Sequence, residues 1–325
     1  MATITRRALL MSGGAFLLTR RGASAQQANR VYRVGVISVV PAPLYVAAWE
    51  QGLRELGWIE GKNIVLEYRY SHGRYELYPT FAAELVRLKV DVILAVTDLA
   101  VQAAREATST IPIVMAAGTD PIAAGFVASL ARPGGQITGI PMFADELAGK
   151  QLHLLTEMLP RIARVSVITE RTGSGPKTWS AAQTAGGKLG LTLEQLPVGS
   201  PEDLDIALAT IAKQRPDALV VTPNTTAYFN LPRLVDFCAS NRLPTMYPFR
   251  EAVEAGGLIA YSTLLPELFR RVAAYVDKIL KGAKPADLPV EQPTKFELLI
   301  NAKAAKSLGL TIPPSMLLRA DQVIE

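Results

Sequence analysis

Two histidines and one cysteine are all this chain offers as imidazole bases or thiol ligands. His72 sits in the polar run Ser71-His72-Gly73-Arg74, and His153 lies in Gln151-Leu152-His153-Leu154-Leu155 on an expected helix. Neither spacing suits a metal centre. Cys238, within the apolar stretch Leu234-Val235-Asp236-Phe237-Cys238-Ala239, reads as a buried small hydrophobe. A single cysteine cannot close an internal disulfide. There is no Gly-x-Ser-x-Gly elbow and no Gly-x-x-x-x-Gly-Lys phosphate loop, and Gly134-Gly135 reads as a turn. No nucleophile and base are paired, so the chain is expected to be no enzyme, with no metal and no cofactor. What remains is non-covalent capture of a small molecule.

Polar and aromatic residues that could do this gather where apolar runs end. Ser38 follows the first such run, Thr97-Asp98 the third, and Gly118-Thr119-Asp120-Pro121 the fourth. Hydroxyls and backbone N–H groups at helix starts suit carboxylate or amide ligands. Asp98 and Asp120 also suit helix capping, Asp120 with Pro121 behind it. Further along, Glu170-Arg171-Thr172 and Thr222-Pro223-Asn224 end two more runs. Tyr247, Phe249 and Arg250 follow another, and Tyr261-Ser262 another. Aromatic rings can sandwich a flat ligand, and an arginine can take a carboxylate in a two-pronged pair. The competing reading of Arg250 is an ion pair with Glu251 or Glu254, and that of Tyr247 and Phe249 is core packing. The expected ligand-binding set is thus Ser38, Thr97, Asp98, Thr119, Asp120, Glu170, Thr172, Asn224, Tyr247, Phe249, Arg250 and Tyr261.

These residues must be held by the elements around them. Short β-branched runs, among them Val34-Gly35-Val36-Ile37, Ile64-Val65-Leu66-Glu67-Tyr68, Val92-Ile93-Leu94-Ala95 and Ile113-Val114-Met115, alternate with stretches of helical spacing at 45–56, 79–88, 98–107 and 121–130. Nearly all-apolar strands in a βαβα rhythm predict a parallel sheet covered on both faces. After Ile137-Thr138-Gly139-Ile140 the rhythm restarts. Helices are expected at 147–158, 179–189, 204–214, 231–241 and 266–280, and strands at 165–168, 191–196 and 218–221 and near 245–246 and 258–260. Residues 297–301 are expected as a final strand. The fold class is α/β, with two parallel-sheet lobes and a cleft between them, where ligands bind beyond the carboxyl ends of the strands.

The N-terminus says where such a protein works. Arg6-Arg7 precede the uncharged run Ala8–Leu18, and Ala23-Ser24-Ala25 reads as a small-x-small cleavage site. This is the layout of an export signal, too short for a bilayer span of ~20 residues. Thr5-Arg6-Arg7-Ala8-Leu9-Leu10 also fits the twin-arginine pattern. Residues 1–25 hold four arginines and no acid, so their removal takes the formal charge from +5 to +1. That leaves no basic footprint for nucleic acid. No cysteine follows the signal, so no lipid anchor is expected there. The expectation is a soluble periplasmic monomer.

Longer motifs carry a resemblance. Leu53-Arg54-Glu55-Leu56-Gly57-Trp58-Ile59-Glu60-Gly61-Lys62-Asn63-Ile64 and Ala128-Ser129-Leu130-Ala131-Arg132-Pro133-Gly134-Gly135-Gln136-Ile137-Thr138-Gly139 resemble segments of the tryptophan/tyrosine-type substrate-binding proteins of ABC transporters. So do Tyr247-Pro248-Phe249-Arg250-Glu251 with Ala255-Gly256-Gly257-Leu258, and Gly282-Ala283-Lys284-Pro285-Ala286-Asp287-Leu288-Pro289-Val290-Glu291-Gln292-Pro293. The chain departs from the family at Thr169-Glu170-Arg171-Thr172-Gly173, where members often carry Asn-Pro. The resemblance implies a two-lobed type I periplasmic binding fold that closes about a hinge on a small molecule; the strand-end residues point to a small carboxylate-bearing solute, amino-acid-like or aromatic. It implies a membrane permease as partner and no nucleic acid. A sensory module reporting to a membrane receptor, or an exported enzyme, are the alternatives. The expected division is a signal at 1–25, lobe I at 31–140 plus about 264–282, and lobe II at 141–263 plus about 283–325.

Overall fold

The computed structural model describes residues 30–116 and 118–325. The expected export signal and cleavage site lie outside the described residues. From Tyr32 the chain runs β1 (Tyr32–Ser38), α1 (Pro43–Glu55), β2 (Ile64–Tyr70), α2 (Tyr78–Arg87), β3 (Val92–Val96), α3 (Asp98–Ala107), β4 (Ile113–Ala116) and β5 (Ile137–Ile140). The five strands form one sheet in the order β2-β1-β3-β4-β5, parallel throughout. β3 and β4 are buried along their whole length, as strands covered on both faces must be. Tyr78, Leu85, Ala100 and Ala104 of α2 and α3 cover one face. Trp49 and Leu53 of α1, with Val272 and Val276 from much later in the chain, cover the other.

The second half runs α4 (Ala144–Met158), β6 (Arg164–Glu170), α5 (Gly175–Lys188), β7 (Thr192–Val198), α6 (Pro201–Gln214), β8 (Ala218–Val221), α7 (Thr225–Phe229), α8 (Leu231–Ser240), β9 (Thr245–Tyr247), α9 (Arg250–Glu254) and β10 (Ile259–Thr263). Then come α10 (Leu265–Leu280), β11 (Phe296–Asn301), α11 (Ala302–Ser307), α12 (Pro314–Arg319) and β12 (Gln322–Ile324). The second sheet is ordered β12-β11-β10-β9-β8-β6-β7. Its β7-β6-β8-β9-β10 part repeats the winding of the first sheet. In both sheets the order reverses beside the opening strand, between β1 and β3 and between β6 and β8. A crevice opens at that point beyond the carboxyl ends of the strands.

Three expectations need correction. Residues 121–130 form turns, not a helix. Asp120 starts a turn by accepting from the Ile122 N–H at 2.8 Å, and Gly125 at φ +70° ends it, with Phe126 N–H returning to the Pro121 carbonyl. The left-handed residue and the wrap-around bond are a helix terminus in miniature. Second, the sheets are not wholly parallel, because β11 runs antiparallel to β10. It is also not the last strand, since β12 pairs beyond it. Third, the chain stays on the first lobe well past residue 283. Thr138 Oγ1 donates to the Leu288 carbonyl at 2.7 Å, Val290 N–H to Leu130 at 2.7 Å and Glu291 N–H to Gly139 at 3.2 Å.

The chain therefore passes between lobes near 140–144, 263–265 and 291–296, with α10 packed on the first lobe against α1. Trp58 Nε1 donates to the buried Asp277 at 2.9 Å, which pins α10 there. No helix among the described residues is long and apolar enough to cross a membrane.

Candidate functional site

The crevices of the two sheets face each other and enclose a cavity of about 190 Å³, room for one small molecule. Its walls are mostly apolar, with eight aromatic rings among them. The first lobe supplies Tyr45 and Trp49 from α1, Tyr68 and Tyr70 from β2, and Tyr75. The second supplies Tyr228 and Phe249, and α10 adds Phe269. Tyr45 stacks on Phe269 with ring centres 5.7 Å apart, and Tyr68 on Tyr70 at 5.5 Å. Phe249 meets Tyr228 edge-on at 5.1 Å.

Two carboxylates enter this apolar box, one from each lobe. Asp98 opens α3, and Thr97 before it caps that helix by accepting from the Ala100 N–H at 3.2 Å. Thr97 is held at φ +129°, a strained conformation for a β-branched residue and of the kind that collects at functional sites. Asp98 accepts from the Thr119 hydroxyl at 2.7 Å and the Thr119 N–H at 3.2 Å. Burial raises its pKa above the usual range, against the pull of Thr119 and of the Lys177 charge. Glu170 ends β6. Its Oε1 accepts from the Tyr75 hydroxyl at 2.8 Å and its Oε2 from the Thr225 N–H at 2.9 Å, and burial raises its pKa too.

Several of these contacts join the lobes. Tyr75 of the first lobe holds Glu170 of the second and also hydrogen-bonds the Thr225 hydroxyl. Tyr45 donates to Glu251 Oε1 at 2.8 Å. The Phe229 ring lies 6.4 Å from that of His72. These contacts tie the two lobes together beside the cavity. Burial and the neighbouring carboxylates raise the Tyr45 and Tyr75 pKa values, so both hydroxyls keep their protons and act as donors. Burial pushes Tyr70 up to about 12.

Of the residues expected from sequence, Ser38, Thr97, Asp98, Glu170, Asn224 and Phe249 line the cavity. Asn224 does so with its polar atoms engaged elsewhere. It donates to the Thr169 and Val198 carbonyls and accepts from the Ala227 N–H, capping α7. Thr119 stands behind Asp98, and Asp120 serves its own turn. Thr172 lies outside the wall and turns the chain, its carbonyl accepting from Gly175 N–H. Tyr247 is sealed in the second lobe's core. Tyr261 stacks on Phe296 at 5.9 Å.

Arg250 also points away from the cavity. It donates to Glu254 and Glu297, each at 3.0 Å, and to Gln322 at 3.3 Å. The i,i+4 partner, Glu254, is one of the two carboxylates that the sequence offers to Arg250. The wall tyrosines at 45, 68, 70, 75 and 228 were missed. Tyr68 and Tyr70 carry a signal in their spacing, since residues two apart share one face of a strand.

Comparison with known proteins places the chain in a family. A "Tyrosine-binding protein" of Clostridioides difficile (strain R20291) is 26% identical over 263 residues, 80% of this chain and 75% of that one. The crystal structure of an ABC domain from Streptococcus pneumoniae in complex with L-Trp is 29% identical, with a TM-score of 0.81 over 90% of this chain and 100% of that chain. A conserved domain protein from Vibrio cholerae superposes with a TM-score of 0.84 at 26% identity over the same shares. The architecture is the type I periplasmic binding fold. The family model for ABC transporter substrate binding proteins matches residues 33–324, and the chain belongs to that family.

Proposed function

We propose that this protein is the solute-capturing component of an ABC importer, working as a monomer in the periplasm after removal of its signal. Its solute is a small aromatic molecule bearing an amino group, an aromatic amino acid in the first instance. The observation that carries this reading is the cavity itself, an aromatic box with one carboxylate from each lobe. Rings of both lobes would sandwich the flat part of the solute, while Asp98 and Glu170 hold the amine. Arg250 has no part in holding a carboxylate, because its guanidinium is engaged by Glu254 and Glu297. A solute carboxylate would turn to donors such as the Ser38 and Ser174 hydroxyls in the wall.

Solute joins the walls of the two lobes, so it favours the closed form by its differential affinity for it. A permease then reads that form. The relatives named for tyrosine and crystallised with L-Trp support an aromatic amino acid. Calorimetric titration of solute-stripped protein with L-tryptophan and L-tyrosine tests the reading, with small-angle scattering at saturation. Saturable binding with a smaller radius of gyration is expected. No heat from either compound, or an unchanged scattering profile on binding, would overturn it.

A further inference from the structure

We propose that the cavity selects its solute by positive charge rather than by a carboxylate, so that aromatic amines lacking the carboxylate are held at least as tightly as the parent amino acids. The inference rests on the aromatic-solute reading above and deepens it. Among the described residues the cavity wall carries Asp98 and Glu170 and no lysine, arginine or histidine. Lys177 on α5 is near enough to Asp98 to stabilise its charge, but it stands outside the wall.

Two further carboxylates stand just behind the rings, since Tyr45 donates to Glu251 and Tyr68 to Glu50 at 3.1 Å, while Tyr75 donates to Glu170 itself. A phenol that donates to a carboxylate has a more electron-rich ring. Such a ring attracts a cation over its face more strongly, and the effect grows when water is excluded. The indole N–H of Trp49, also in the wall and buried, lies beside the Tyr68 hydroxyl without making a well-aligned hydrogen bond. Like the wall hydroxyls of Ser38 and Ser174 it favours an anionic or hydroxyl end, but it sits among rings backed by acids. A solute carboxylate would meet like charge from both lobes, offset by one indole, neutral hydroxyls and the partial charge at the starts of α3 and α5, which is less than the two full charges of Asp98 and Glu170. An ammonium meets two carboxylates and a ring of π faces.

The test is calorimetric titration at neutral pH with L-tryptophan, tryptamine and indole-3-propionate, which share one ring system and differ in charge. The protein is first stripped of carried-over solute by reversible unfolding. Tryptamine is expected to bind at least as tightly as tryptophan, and indole-3-propionate about a hundredfold or more weaker, since it loses the charge-assisted bonds and adds repulsion. Asp98→Asn and Glu170→Gln are each expected to weaken tryptamine about tenfold or more. Their unliganded melting temperatures show that they fold. Tryptophan binding with tryptamine more than tenfold weaker would overturn the inference and leave the aromatic amino acid reading standing. Indole-3-propionate binding as tightly as tryptophan would do the same. If none of the three binds, nor L-tyrosine, tyramine or 3-(4-hydroxyphenyl)propionate, both the reading and the inference fall.

Discussion

Replacing Tyr75 by phenylalanine deletes one oxygen atom and, by this structure, two of the bonds that hold the lobes together. The Tyr75 hydroxyl donates to Glu170 at 2.8 Å and bonds the Thr225 hydroxyl, both on the opposite lobe. With the lobes apart, that hydroxyl and the Glu170 carboxylate would each be hydrated. The substitution therefore falls almost wholly on the closed form. A hydrogen bond to a charged partner is worth about 1.5–3 kcal/mol, and here its loss leaves a buried carboxylate with the Thr225 N–H alone. Solute affinity scales with the population of the binding-competent form. A loss of that size lowers it by about 10- to 150-fold.

Glu170 pushes the same way. Burial already raises its pKa and the Tyr75 bond pulls it back, so Tyr75→Phe raises it further and weakens the anionic partner of an ammonium. Titration calorimetry of wild type and Tyr75→Phe measures the ratio. The radius of gyration at saturation should match wild type, because the closed geometry itself is kept. Equal affinity for the two proteins would refute the reasoning. It would mean that the cross-lobe bond contributes nothing to closure.

Arg250→Ala should reverse the expectation drawn from sequence. It strands Glu297, a mostly buried carboxylate beside Glu251, Glu254 and Asp321, and should lower unfolding free energy by about 1–3 kcal/mol with solute affinity unchanged; a denaturant titration and calorimetry on the same sample separate the two. Gly175→Ala should abolish binding and lower Tm, because a Cβ there would lie 1.7 Å from the Glu170 carbonyl oxygen and force apart the turn joining β6 to α5; wild-type binding by a folded variant would contradict this close approach. For pH, burial raises the pKa of both Asp98 and Glu170, so the solute-free protein binds these two protons more tightly than the unfolded chain does. Their contribution to stability therefore rises as pH falls from above the raised values toward the ordinary carboxylate range. A bound ammonium needs both groups ionised, so affinity for an amine should fall over that same window, and a flat affinity profile down to the ordinary carboxylate range would count against Asp98 and Glu170 as its partners.

Where sequence reasoning succeeded and failed follows from what each pattern can encode. Apolar runs such as Val92–Val96 and Ala218–Val221 specify strands buried on both faces, and their ends mark the crevice where Asp98, Glu170 and Phe249 now stand. Strand direction is not in that code. The run Phe296–Asn301 reads the same parallel or antiparallel; the chain leaves the second sheet at the end of β10, passes along the first lobe and re-enters beside that same end, Phe296 opposite Thr263, which makes β11 antiparallel. Aromatic residues on buried helix faces are ambiguous for a related reason. Tyr45 and Trp49, four apart on α1, present one face to the interior, and the spacing is the same whether that interior is core or cavity. Arg250 is the more instructive case. It follows Phe249, a wall residue, and one of its partners lies four residues on. Its others lie 47 and 72 residues on, in strands that only the closed sheet brings alongside. Those distant partners turn the guanidinium out of the cavity, and with it the one cation in the expected binding set. The sign of charge that a binding site presents thus depends on which way side chains point after the sheets assemble, and in this chain that direction leaves two acids facing a solute among aromatic rings.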